Sequence, residues 1–289
     1  MKNILFIASE AVPFIKTGGL ADVVGSLPKC FDKKYFDVRV MIPKYLCIKE
    51  VLRNEMTYID HFYMDYLGQS RYVGILQYVY EGITFYFIDE SYFWGEKPYG
   101  DWYYDLEKFS FFSQAALSAL PVIGWKPDIV HCHDWQTGLI PVYLKDRFRG
   151  GEFFRDMKTV MTIHNLKFQG VWDVKTIQRF SGLPDYYFTP DKLEAYKDGN
   201  MLKGGLVYAD AITTVSSTYA EEIKTPFYGE GLDGLMRARA NDLRGIVNGI
   251  DYNDFNPETD PYIAQQYNAK NFRKEKAKNK LALQEELGL

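Results

Sequence analysis

Cysteine is scarce in this 289-residue sequence: Cys30, Cys47 and Cys132 make an odd number with no framework spacing. That excludes a disulfide-stapled scaffold and fits a reducing cytoplasm, which is the location expected for the chain. Long apolar runs are missing too. None approaches the roughly 18 residues of a membrane span, and the stretch after Met1-Lys2-Asn3 is too short for a signal peptide. Positive charge is not in excess, since 34 Lys and Arg face 38 Asp and Glu for a net charge of -4. No global basic field therefore argues for nucleic acid or an anionic membrane as a partner. With four histidines and no second Cys/His cluster, a zinc site has few ligands to draw on, and no metal and no cofactor is expected.

Hydrophobic residues make up 47% and aromatic residues 17% of the chain, with 23 tyrosines, enough for a substantial core and for rings that could stack on sugar faces. Apolar runs of strand length recur at residues 3–9, 38–43, 129–133, 159–164, 211–216 and 243–248, with helical segments between them. This rhythm predicts an α/β fold, a Rossmann-like and mostly parallel sheet flanked by helices. Between Tyr58 and Asp89 three alternating segments, with turns at Gly68-Gln69 and Glu81-Gly82, predict an antiparallel hairpin insertion. A functional loop is expected over residues 92–104, then a helix from about Glu107 to Leu120, another from Gln136 to Arg149, and an amphipathic helix over residues 268–289. The closing Leu287-Gly288-Leu289, straight after that helix, reads as a domain boundary.

Most of the predicted strands end in polar or small residues, which gathers candidate chemistry on one edge of the sheet, where parallel sheets bind their ligands. After the first strand comes Lys16-Thr17-Gly18-Gly19. Two glycines opening a helix let backbone N–H groups approach a phosphate, and Lys16 adds a mobile charge; the alternative is a tight turn with a solvated lysine. The spacing of this loop is neither G-x-G-x-x-G nor that of a P-loop, which disfavours an NAD-dependent oxidoreductase. In His131-Cys132-His133-Asp134-Trp135, strand alternation puts both histidines on one face. They are half of a zinc site or internal packing groups. Asp134 and Trp135 suit a sugar, as a carboxylate beside a stacking ring, unless Asp134 is a helix N-cap. His164-Asn165 offers two polar groups at a strand end, structural or able to stabilise charge at a reacting carbon. Glu10, Lys203, Asn248 and Asp251 are assigned to the same edge, although Asn248-Gly249 also suits a turn.

Five blocks, at residues 16–29, 131–141, 162–170, 203–223 and 229–251, resemble the bacterial glycogen synthases and plant starch synthases. Those are retaining glucosyltransferases that use ADP-glucose and adopt the two-domain GT-B architecture, and the likeness runs from Met1 to Leu289. The resemblance implies a Rossmann-like GT-B domain over residues 1–265 that binds an α-1,4-glucan acceptor (glycogen or a maltooligosaccharide) and closes over the donor, with residues 266–289 opening a C-terminal domain that is missing. Carried over by motif, Lys16, Gly18 and Gly19 would face the donor diphosphate, Asp22 would support their loop and Glu10 would assist. His164, Asp134 and Asn248 would form the catalytic set: His164 against the transferred glucose, Asp134 on acceptor or glucose hydroxyls, and Asn165 and Asn248 fixing polar geometry nearby. The family's tyrosine-bearing acceptor loop matches only loosely at residues 99–105, leaving Tyr99 and Tyr103 as alternatives. Without the other half of the donor site, the chain alone is expected to be nearly inactive. The competing expectation is a non-catalytic α-glucan-binding module; the presence of Lys16, Asp134 and His164 favours the transferase.

Overall fold

The apolar runs become strands because each is rich in β-branched and aromatic residues, and those in the middle are apolar on both faces. The computed structural model describes residues 1–289 and contains two units, Met1–Val247 and Asn248–Leu289. In the first unit the strands are β1 (Lys2–Ile7), β2 (Phe36–Pro43), β3 (Thr57–Tyr66), β4 (Gln69–Tyr80), β5 (Ile83–Asp89), β6 (Ile129–His133) and β7 (Lys158–Ile163). Three short strands follow, β8 (Val171–Asp173), β9 (Glu194–Ala195) and β10 (Asp198–Asn200), then β11 (Ala211–Thr214) and β12 (Leu243–Gly245). The main sheet runs β12-β11-β7-β6-β1-β2-β5-β4-β3, parallel from β12 to β5 and antiparallel over β5-β4-β3. This is the expected mostly parallel sheet with its antiparallel insertion. Leu5, Phe6, Ile7 and Ala8 have no exposed surface, so β1 is the floor of the core.

Chain order sets where the site must lie. From β1 the chain moves outward through β2 to β5, then returns to place β6 on the opposite side of β1. The loops after β1 and β6 therefore diverge and leave a crevice at the carboxyl ends of these two strands, the switch point where open α/β sheets bind ligands. The hairpin turns fall on Leu67-Gly68 and Glu81-Gly82, all at positive φ, the two-residue geometry that follows strand twist. The first turn thus sits one residue before its expected place. The small sheet β8-β10-β9 was not anticipated, because strands of two or three residues carry no readable period.

Helices α1 (Gly19–Ser26), α2 (Glu50–Asn54), α3 (Trp102–Ile123), α4 (Leu139–Tyr143), α5 (Val174–Ser181), α6 (Met201–Tyr208), α7 (Ser217–Glu222) and α8 (Asp233–Ala238) complete this unit. Helix α3 begins five residues before its expected start. Asp101 caps it, accepting from the Tyr103 and Tyr104 amides at 3.0 Å each, so the end of the expected loop is helical. The helix expected over residues 136–149 is present with a tight turn before α4 and a wide π-type turn, Leu144–Phe148, after it. A G-x-G-x-x-G string does occur, Gly229 to Gly234, but it joins α7 to α8 with no strand before it, unlike a dinucleotide fingerprint. No helix is long and apolar enough to cross a membrane.

The second unit holds α9 (Phe272–Leu287), tied to the preceding segment where Asn279 accepts from the Gln265 amide at 2.9 Å and donates to the Gln265 carbonyl at 2.7 Å. The helix is as expected, but its amphipathic face is not. Leu281, Leu283 and Leu287 are each more than half exposed, and at about 100° per residue Leu281 points away from the other two.

Helix α6 can lie against the turn before α4 because Gly138 and Gly205 meet there. A Cβ on Gly205 would stand 3.0 Å from the Gly138 Cα, and one on Gly138 would enter the Met201 carbonyl. Gly138→Ala is therefore expected to lower stability by about 3 kcal/mol or more in urea unfolding. Gly150→Ala, where nothing lies within 4 Å of the new atom, should change it by no more than about 0.5 kcal/mol. Equal midpoints for the two variants would contradict the close approach.

Candidate functional site

Two carboxylates stand at the switch point, Glu10 just after β1 and Asp134 just after β6, only 3% and 8% exposed respectively. A carboxylate out of water needs donors, and each takes them from the backbone of a neighbouring loop. Glu10 accepts from the Thr17 amide and from the Thr17 hydroxyl at 3.0 Å, with a further hydrogen bond from the Gly18 amide. Burial still outweighs these bonds and raises its pKa. Asp134 accepts from the His164 amide at 2.8 Å and from the Asn165 amide. Burial, with the Glu10 charge adding, pushes its pKa up to about 7. Its side chain makes no N-cap bond, so the capping alternative is ruled out. Asp134 sits instead at φ +54°, a backbone position few non-glycine residues adopt, and aims its carboxylate across to the β7 loop.

The loop that Glu10 holds carries Lys16, Gly18 and Gly19. Gly18 is extended and Gly19 opens α1, so the tight-turn alternative fails. A Cβ at either glycine would meet nothing within 4 Å, whereas Gly25 in the same helix would strike Val12. The fold itself has no need of glycine at 18 or 19, which leaves open space over the uncapped start of α1. Lys16 Nζ lies 2.7 Å from Asp22 Oδ1, with both side chains over one third exposed. Such a pair contributes little stability and can open to another anion.

His164 is held from two directions. Asp134 binds its amide, and its Nε2 lies 3.0 Å from His133 Nδ1. His131 and His133 do share a face of β6, their rings stacked 4.4 Å apart, and His131 Nε2 meets the Thr162 hydroxyl at 2.6 Å. Burial lowers all three, His131 to about 3, His164 to about 4 and His133 well below its usual value, so they are neutral at pH 7. Asn165 is exposed and accepts from the Lys167 amide at 3.0 Å, forming a turn.

Of the two tyrosines, Tyr99 belongs to this crevice: its hydroxyl donates to Ser9 Oγ at 2.7 Å and lies beside Glu10. Tyr103 packs instead edge-on to Phe180, with ring centres 5.2 Å apart. Trp135 is half-buried in an aromatic stack, 5.4 Å from Phe109 and 5.5 Å from Trp172, which carries the exposed Trp102 at 4.9 Å. A Cβ on Gly170, itself at φ +64°, would stand 2.5 Å from the Trp135 ring. Lys203 serves elsewhere, its buried ammonium donating to the Pro190 and Glu194 carbonyls. Asn248 and Asp251 belong to the second unit, where Asn248 is exposed and the Asp251 carboxylate accepts from the Asn253 amide at 3.0 Å. Sequence reasoning missed Tyr219, whose hydroxyl accepts from the Leu166 amide at 3.0 Å and braces the His164 loop; nothing in its surroundings along the chain marks it.

Residues 3–238 match the family described as starch synthase catalytic domain. Among curated proteins, the chain is 68% identical over its whole length to a glycogen synthase of Lachnospira eligens, covering 61% of that protein. It is 64% identical to one of Lachnoclostridium phytofermentans, again over its whole length and 61% of the relative. To one of Anoxybacillus flavithermus it is 48% identical, over 99% of this chain and 59% of the relative. A solved structure titled the catalytic domain of starch synthase IV from Arabidopsis thaliana, bound to ADP and acarbose, aligns with a TM-score of 0.88 at 33% identity. That alignment covers 100% of this chain and 59% of the plant one. The chain thus spans about 60% of the length of the curated relatives it matches.

The buried histidines set a pH dependence. Each is neutral when folded and takes up a proton on unfolding below about pH 6.5, so its stabilising contribution is present above that pH and is lost as pH falls toward 4. Asp134 and Glu10 have raised values and act in the opposite sense, their contributions present at low pH and lost as pH rises. Three histidines outweigh two carboxyls, and a net uptake of one to two protons near pH 5 should cost about 2 kcal/mol per pH unit. Urea midpoints that stay level between pH 6.5 and 4.5 would refute neutral burial of the histidines.

Proposed function

Because the chain belongs to the starch synthase catalytic domain family, we propose that it is the N-terminal, acceptor-side part of a retaining glucosyltransferase with GT-B architecture. In this reading it moves glucose from ADP-glucose to the non-reducing end of an α-1,4-glucan, glycogen or a maltooligosaccharide, in the cytoplasm. The observation that carries the reading is the loop from Lys16 to Gly19, with two glycines whose Cβ positions are open, held by the buried Glu10 carboxylate at the end of β1, next to the strand that ends in Asp134. A related catalytic domain that binds ADP supports an adenosine diphosphate donor.

The residues divide the work as follows. Lys16 releases Asp22 and, with the Gly18 and Gly19 amides and the positive end of α1, takes the diphosphate oxygens, offsetting the charge that grows on the leaving group. Glu10 keeps that loop in place. His164 faces the transferred glucose, while Asp134 holds the His164-Asn165 backbone at the right depth and leaves its outer edge to sugar hydroxyls. Tyr99 belongs to the acceptor side, and Trp135 and its aromatic neighbours form the wall. The departing phosphate accepts the acceptor's proton, so no side chain is needed as general base. A C-terminal GT-B domain supplies the adenine pocket and further cationic contacts. Positioning of donor against acceptor depends on both domains, and each 1.4 kcal/mol of lost positioning slows transfer about tenfold.

Transfer of radiolabelled glucose from ADP-glucose to glycogen is expected to be near background for this chain and restored when it is extended through a full second domain. Background activity in both would turn the assignment toward a glucan-binding module. In the extended protein, Gly18→Ala and Gly19→Ala should each weaken ADP binding by about tenfold or more. In residues 1–289 the melting temperature of Gly19→Ala should stay level or rise slightly, since Ala is the better helix former at the first helical position, while Gly18→Ala, at the N-cap, should cost no more than about 1 kcal/mol. Unchanged ADP affinity would remove these amides from the donor site.

A further inference from the structure

His131 and His133 have no task in the transfer itself, yet His133 is fully buried and His131 half-buried beside it, in line with His164. Ring contacts fix the plane of His133, which stacks on His131 at 4.4 Å and lies tilted against Phe6 at 5.3 Å. Its backbone is fixed as well, the amide donating to the Thr137 hydroxyl at 2.8 Å. Of its two ring nitrogens, Nδ1 meets His164 Nε2 at 3.0 Å, and Nε2 is buried with no partner.

That unpartnered nitrogen decides where the protons sit. In a neutral pair one ring donates and the other accepts. If His164 donated from Nε2, the His133 proton would have to move to its own Nε2, a buried N–H with no acceptor. Buried N–H groups without a partner are the rarer and costlier defect, while a bare lone pair is better tolerated. The His133 proton therefore belongs on Nδ1, pointing at His164. His164 then accepts through Nε2 and carries its own proton on Nδ1, the reverse of the usual preference of a free imidazole.

We propose that His133 is a positioning residue that locks the His164 ring in its Nδ1–H tautomer, so that His164 meets the sugar as a hydrogen-bond donor and never as a base through that nitrogen. The assignment of a task to this donor rests on the reading of His164 as the residue facing the transferred glucose. The tautomer itself does not, and it can be read on residues 1–289 without donor or acceptor.

With four histidines in the chain and exposed His61 as internal control, long-range proton–nitrogen correlation spectra of histidine-labelled protein at pH 7.5 resolve each ring. The expected pattern is a protonated Nδ1 and a pyridine-type Nε2 on both His133 and His164. His133→Asp sets an acceptor-only carboxylate where Nδ1 stood, and His164 should then carry its proton on Nε2. His133→Asn, isosteric with Asp but with an amide nitrogen able to donate there, should keep the wild-type pattern at His164. A protonated Nε2 on His164 in the unsubstituted protein overturns the proposal, as does an unchanged His164 in His133→Asp. If His133→Asp does not fold, the unsubstituted and His133→Asn spectra still decide. In the protein extended through its second domain, His133→Asp should lower kcat about tenfold with KM within about twofold, and His133→Asn should recover most of the loss. Equal kcat in all three, with the expected spectra, would overturn the positioning role and leave the glucosyltransferase reading intact.

Discussion

Everything at the switch point depends on how two buried carboxylates obtain their hydrogen bonds. Glu10 and Asp134 follow adjacent parallel strands, and the Glu10 charge adds to the cost of ionising Asp134. Neither has a lysine or arginine partner; each is satisfied by backbone amides from a separate loop. A carboxylate that takes amides from a loop fixes that loop's path, because losing either bond leaves an unpaired charge in a dry place. The Lys16 loop and the His164 loop are thus set against the same rigid floor of β1 and β6. Their spacing follows from the strand register rather than from any contact between them.

The parallel sheet was legible in the sequence because its strands are apolar on both faces and end abruptly in polar residues, as at His133-Asp134 and His164-Asn165. Alternation within β6 correctly put His131 and His133 on one face. Other features had no local signature. The partner of His133 lies 31 residues away on the next strand, a relation that only sheet pairing creates. Asp134 carries every mark of a helix cap along the chain, yet its positive φ turns the carboxylate toward another loop. Lys203, expected on the ligand edge of the sheet, lies on a helix whose neighbours present free carbonyls and absorb its charge. The expected apolar stripe of the last helix failed for a simpler reason: Leu281 is out of phase with Leu283 and Leu287.

Aromatic content, first a hint of sugar binding, has several uses. Some rings, such as Phe109, Phe111 and Phe112, fill the core with no exposed surface, and others, such as Tyr35, Tyr196 and Phe227, stand in solvent. A smaller group around Trp102, Trp135 and Trp172 forms a wall partly open to solvent, and Gly170 is small enough to let the Trp135 ring lie flat against its backbone. The wall is therefore as stiff as the core it grows from. Its polar neighbours Tyr99 and Ser9 are paired to each other, so this side of the crevice combines flat apolar surface with a few oriented hydroxyl groups, a composition suited to polyols.

The clamp of Glu10 on Thr17 and Gly18 also bears on kinetics. A phosphate-binding loop that stays loose until its ligand arrives must lose backbone entropy on binding, and that loss weakens affinity and slows productive encounters. Here the carboxylate does the ordering, so on the proposed reading an incoming anion would find the amides of α1 already aligned and only the Lys16 side chain left to swing. Its association at this loop would then be governed by diffusion and charge rather than by loop rearrangement.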